Sequence, residues 1–335
     1  MFATSTPRLR LGYAAIIAAA SIVFSTGGVC AASLQDLEIC QASTDVALMI
    51  AACTNLSQDA RLPPDARSIA LLKRGFGNFA LGKLDAAEAD FSEAIRLNPK
   101  NNYAHHELGL TFVKKGDLTR AIASLTAAIN IDPSSAASWF SRGRVYVSAN
   151  RLDEAIEDFT AAIKLGADRN TAFAKDQVMD RPEANRIVTD YYAARADAYY
   201  LTGRFKEAAA DYDRAAGFAD PTGYIVIWGS VARSWVGVAG ADSALSAALE
   251  KGQLTGWPKS VAELLVGRIT PAAALAAAQD TDQICEAHYY GGIVRLKAKD
   301  PTSARMEFAA ARDGCPNTFR EYAAAVADLK RLQPQ

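Results

Sequence analysis

The stretch YAHHELGLTF, Tyr103 to Phe112, places two of the chain's three histidines beside a glutamate, the residue types of a metal-assisted hydrolase helix. His106 and Glu107 open as the first half of H-E-x-x-H. A second zinc histidine would then fall at position 110, which is Leu110. Neighbouring His105 and His106 point about 100° apart on a helix, so they do not converge on one ion. The glycines of GFGNFALG have no Lys-Ser/Thr pair and do not follow a strand, so they read as packing glycines rather than a phosphate cradle. No G-x-S-x-G elbow occurs, and three histidines in or beside repeat positions suggest no triad. Glu154 and Asp158 sit at helical spacing on what reads as an outer, solvated face. The expectation is a chain with no catalytic residue, no metal site and no cofactor.

Cysteine chemistry is the exception. Arg8 and Arg10 precede an apolar run and a small-residue site ending in Cys30 and Ala31, the layout of a signal peptide over residues 1–31. Val29 stands before Cys30 where an acylated cysteine needs a small neighbour, so a lipid anchor is not expected. Cleavage after Ala31 would send the chain to the periplasm with no integral membrane span. It leaves Cys40, Cys53, Cys285 and Cys315, an even number in an oxidising compartment. Three pairings are open, and so is a set of four buried thiols.

The elements that position these residues follow from a repeat. Gly75, Gly109 and Gly143 are spaced by 34 residues, as are Ala87, Ala121 and Ala155, and Ala94, Ala128 and Ala162. Phe91, Leu125 and Phe159 keep the same phase, as do Leu84, Leu118 and Leu152, while Pro99 and Pro133 end the first two units. Each unit reads as two helices, with Gly82 and Gly116 closing the first of them. Leu71, His105 and Trp139 share one column, which predicts that His105 packs between helices. The pattern resembles the tetratricopeptide repeat (TPR), which implies an all-α fold, a TPR α-solenoid of antiparallel helix pairs.

The expected organisation is a helical segment over 32–66, three repeats over 68–169, an insertion over 170–188, a fourth repeat over 189–222, a degenerate helical segment over 223–284, a last repeat over 285–318, and a capping helix with its tail over 319–335. Cys285 opens the first helix of the last hairpin and Cys315 ends the second, so antiparallel packing brings them to one end. Asp45 reads as the N-cap of a helix carrying Cys53, with a short linker from Cys40 folding back along it. These geometries favour Cys40 with Cys53 and Cys285 with Cys315.

A surface remains. First helices of stacked repeats line the inner wall, where Phe76, Tyr103, His106, Phe140, Arg144 and Tyr200 are the types that anchor interfaces. With 36 basic and 37 acidic side chains and a net charge of −1, nothing points to nucleic acid. The segments GWPKSVAELLVGRIT, EAHYYGGIVRLKAKDPTSARMEFAAA and REYAAAVADL, over about residues 189–332, resemble the NlpI family of envelope TPR proteins. That resemblance implies a non-catalytic adaptor for other envelope proteins or peptides, such as peptidoglycan hydrolases or a processing protease, often as a homodimer. The family's lipid-anchor motif is missing here, and no binding residue carries over. The alternative is a structural solenoid that assembles with itself or helps assemble the envelope.

Overall fold

The computed structural model describes residues 31–176, 181–218, 222–237 and 240–333. The expected signal peptide lies outside them, apart from Ala31. The described residues form seventeen α-helices and no strand. The chain divides into two compact units, residues 1–145 and 146–335.

The first unit is a row of hairpins. Helices α1 (Ala31–Ala42) and α2 (Val46–Gln58) pair first, then α3 (Pro64–Ala80) with α4 (Leu84–Leu97), then α5 (Asn102–Lys115) with α6 (Leu118–Ile131), and α7 (Ala136–Ser148) begins the next. Asp45 caps α2, its carboxylate accepting from the amides of Ala47 and Leu48 at 2.9 and 3.1 Å. Cys40 lies in the last turn of α1 rather than in a linker, and it is bonded to Cys53 with a Cα separation of 5.0 Å.

The repeat columns form the core. Ala87, Ala94, Ala121, Ala128, Phe91 and Leu125 are all fully buried. A Cβ placed on Gly75 would come within 2.5 Å of the Phe91 ring, and one on Gly109 within 2.7 Å of Leu125. Glycine is required because the large side chain of the second helix occupies the volume a first-helix side chain would fill. Turns between the two helices need positive φ: Gly82 and Gly116 supply it, and Asn150, at the same column of the next repeat, does so at φ 56°.

The second unit contains α8 (Leu152–Asp176), α9 (Arg181–Leu201), α10 (Phe205–Phe218), α11 (Tyr224–Val236), α12 (Ser243–Glu250), α13 (Gly256–Leu265), α14 (Pro271–Ala277), α15 (Thr281–Lys297), α16 (Pro301–Gly314) and α17 (Arg320–Arg331). The expected insertion is largely helical: α8 runs on to Asp176 and α9 begins at Arg181, where Pro182 suits a first helical turn. The last hairpin repeats the glycine device, a Cβ on Gly292 falling within 2.5 Å of Phe308. Cys285 and Cys315 are bonded across its end, Cα to Cα 5.0 Å.

The degenerate segment forms the centre of this unit. Trp228 of α11 is buried, stacks on Tyr289 at 5.4 Å, and meets Tyr200 and Tyr290 edge-on at 5.4 and 6.2 Å. Carboxyls are buried among these rings. Tyr200 and Tyr289 donate to Asp328 at 2.8 and 3.3 Å; Tyr224 and the Trp257 indole donate to Glu286 at 2.7 and 2.9 Å; Tyr290 donates to Glu321 at 2.7 Å. Burial lifts Asp328 to about 6, against the pull of Arg331 and the two hydroxyls. Burial, with the charge of Glu321 adding to it, lifts Glu286 to about 7.

Three outcomes test this architecture. Gly75→Leu should overpack the α3–α4 pair and lower stability by about 1–3 kcal/mol, read as a shift in the urea midpoint. Reducing either disulfide should cost about 2–4 kcal/mol, read by comparing melts with and without a phosphine reductant. Because the folded carboxyls of Asp328 and Glu286 lie above their unfolded values, stability should rise as pH falls from 8 towards 5, by up to about 4 kcal/mol in all. The double variant Asp328→Asn, Glu286→Gln should flatten that slope; an unchanged slope would place its origin elsewhere.

Candidate interaction surface

Neighbouring hairpins are joined by a recurring polar device. Arg74 on α3 makes a bidentate pair with Asp90 on α4 at 2.5 and 3.1 Å and reaches back to the Thr54 hydroxyl on α2 at 3.2 Å. Arg142 on α7 donates to Thr126 on α6 at 2.9 Å. In the second unit Arg195 on α9 pairs with Asp211 on α10 at 2.6 and 2.9 Å and donates to Thr160 on α8 at 2.9 Å. Asp90 and Asp211 are buried, so each arginine neutralises a carboxylate inside its own hairpin and ties that hairpin to the preceding helix. Asp158 stands sixteen residues after Arg142, as Asp90 does after Arg74, and it is 3% exposed. This corrects the expectation of a solvated face at Asp158, whose column is the buried acidic one; Glu154, 43% exposed and paired with Arg151, keeps the solvated reading.

The histidine column is corrected as well. His105 is not enclosed between helices; its Nε2 lies 3.2 Å from the Pro99 carbonyl oxygen. Trp139, one repeat later, donates its indole N–H to the Pro133 carbonyl at 2.9 Å. His105 and Trp139 thus fasten their helices to the proline turns six residues before them, whereas Leu71 of the same column is buried in the core.

On the first unit, five of the six expected surface residues occur on successive first helices. Phe76 is partly buried and meets Phe91 edge-on at 5.9 Å; Tyr103 packs on the same small core, beside Phe79 and Leu108. His106 on α5 approaches Ser141 on α7, Nε2 to Oγ 3.1 Å, and its Nδ1 lies 3.1 Å from a Glu107 carboxylate oxygen. Arg144 is exposed, its guanidinium 6.0 Å from the centroid of the Phe140 ring. Tyr200 does not join them. It is 1% exposed in the core of the second unit, bonded to Tyr289, Asp328 and Trp235. Its column position is that of a first helix, but α11, α15 and α17 cover that helix's inner face, which the repeat pattern of one hairpin cannot show.

The Ser141, His106 and Glu107 chain has the connectivity of a hydrolytic triad, an arrangement the sequence spacing did not suggest. Chemistry would also need donors for a developing oxyanion. Ser141 lies inside α7, so the amides around it are engaged in the helix's own ladder. The three residues therefore act as a polar clasp between α5 and α7. Among the described residues no cluster of three or more metal-ligating side chains occurs, and no helix is long and apolar enough to cross a membrane.

Residues 78–136 and 106–170 match the tetratricopeptide repeat family model, together less than a third of the chain. A search of curated protein sequences gave no match. Similar solved structures include a tetratricopeptide repeat protein from Parabacteroides merdae, 12% identical, covering 89% of this chain and 99% of its own, with a TM-score of 0.48. A MamA RS-1 double mutant is 16% identical over 57% of this chain and 96% of its own, at 0.46. MamA from Desulfovibrio magneticus RS-1 is 19% identical over 57% and 97%, at 0.44. At these scores the likenesses add no weight; the assignment stands on the matched residues and on the glycine and arginine devices above. Residues 78–170 are tetratricopeptide repeats, set in an all-α chain in which α15–α16 repeats the glycine contact and α9–α10 the arginine pair.

Proposed function

We propose that this protein is a non-catalytic scaffold of an oxidising envelope compartment that holds another polypeptide on the first-helix face of its first unit. The observation that carries the reading is the succession Phe76, Tyr103, His106, Phe140 and Arg144 on α3, α5 and α7. Aromatic rings there alternate with a polar clasp and an exposed guanidinium. Tyr, Phe and Arg supply large contact area with little entropy lost, as anchors of protein interfaces do. The ligand that suits this face is a peptide segment with apolar or aromatic anchors.

The compartment is supported by two disulfides and by the signal-peptide layout of residues 1–31. The NlpI-like segments between 189 and 332 support envelope enzymes, such as peptidoglycan hydrolases or a processing protease, as the class of partner. They also support a homodimer.

The test is in-cell photocrosslinking from position 103 or 140, followed by mass spectrometry of the captured proteins. The expected result is a reproducible envelope protein that disappears when Phe140→Ala and Arg144→Ala are combined, with the melt unchanged. Crosslinks only to other copies of this chain, with light scattering showing the oligomer lost in that double variant, would replace the adaptor with a self-assembling solenoid.

A further inference from the structure

Helix α17 caps the last hairpin and also reaches back onto an earlier one. A capping helix touches the last hairpin of its array. α17 does so, against α16 and α15, and it also lies on α9, bonding to residues 128 to 131 positions earlier in the chain. Four of its side chains make these contacts. Arg320 pairs with Asp197 of α9 at 3.0 Å; Glu321 accepts from Tyr290 of α15; Asp328 accepts from Tyr200 and Tyr289. Arg331 donates to the Tyr200 and Leu201 carbonyls at 2.6 and 2.8 Å, where α9 ends, and pairs with Asp328 on its own helix. Offsets of 1, 8 and 11 residues from Arg320 keep all four side chains within about 100° of one helical face.

The groove receiving that face is aromatic. The Arg331 guanidinium lies 4.9 Å from the Phe205 ring centroid, 5.5 Å from Tyr200 and 5.8 Å from Trp235; Arg320 lies 5.3 Å from Trp228. Alongside these bonds α17 fully buries Ala324 and Ala325, and its Tyr322 and Leu329 pack partly buried against the same core. The charge-assisted bonds on this face exchange for bonds to water when the helix leaves. The groove's aromatic walls are supplied by other elements and remain.

We propose that the second unit contains a binding groove for an amphipathic helix, occupied in this structure by α17, and that a partner helix displaying the same Arg-Glu, Asp and Arg face enters it when α17 swings out. Complementarity on the page specifies the occupant: Asp197 and the carbonyl end of α9 take cations, and the paired hydroxyls of Tyr200 and Tyr289 take a carboxylate. The groove is distinct from the first-unit surface and does not depend on the scaffold reading.

The probe is a fluorescein-labelled peptide of residues 318–335, and the proteins are the full chain and its Asp328→Ala, Arg331→Ala variant, which loosens α17 without altering the groove. By fluorescence anisotropy the variant should bind the peptide at least about tenfold more tightly than the parent does. A peptide carrying the same two substitutions should not bind. Equal binding to both proteins, or loss of cooperative unfolding in the variant, would overturn the proposal, the latter by making α17 integral to the fold. Hydrogen exchange on the unmodified protein decides independently of any variant: α17 amides should exchange at least about tenfold faster than those of α9 and α15. Equal protection would refute the proposal. Peptide-sensitive dimerisation of the unmodified chain would replace the partner helix with a second copy's α17.

Discussion

The structure depends on a steric exclusion: where the second helix of a hairpin carries a phenylalanine or leucine, the first helix must have no side chain. Phe91 against Gly75, Leu125 against Gly109 and Phe308 against Gly292 are three instances of it. Close approach of the two helices buries the alanine columns completely, and the remaining width of each first helix is left to make a wall. The same exclusion appears near both ends of the chain, so it governs both units even though family-level similarity is confined to residues 78–170.

Polar chemistry is then used to fix register. An apolar column tolerates sliding, but a buried carboxylate does not, because a displaced partner leaves an uncompensated charge. Arg74 with Asp90, and Arg195 with Asp211, lock the helices of one hairpin, while Thr54 and Thr160 extend each lock to the helix before it. The proline carbonyls held by His105 and Trp139 do the same for the turns.

The two units spend their first helices differently. In the first unit Phe76, Tyr103, His106, Phe140 and Arg144 keep some exposure, joined by contacts that order them without enclosing them. In the second unit the corresponding surface closes around Trp228, with Tyr200, Tyr289 and Tyr290 directed inward and α17 laid over them. Burying carboxyls beside those rings raises their proton affinity, so the unit's stability is linked to pH through its centre rather than its surface.

The sequence by itself determined the helix pairs, their 34-residue phase and the glycine columns, because small residues at fixed spacing report a close approach wherever it occurs. It also brought Cys285 and Cys315 to one end of a hairpin, a matter of local antiparallel geometry. Tertiary structure alone decided what lies between non-adjacent hairpins. Asp158 read as solvated because helical spacing does not say which face a neighbouring helix covers. Tyr200 reads as a surface residue because the elements that bury it, α11, α15 and α17, begin more than twenty residues later, outside the hairpin that holds it. Ser141 and His106, 35 residues apart, meet only because α5 and α7 are neighbours in the stack. Periodicity along the chain fixes contacts within a hairpin and to the next one; contacts between non-adjacent hairpins depend on side chains that obey no period.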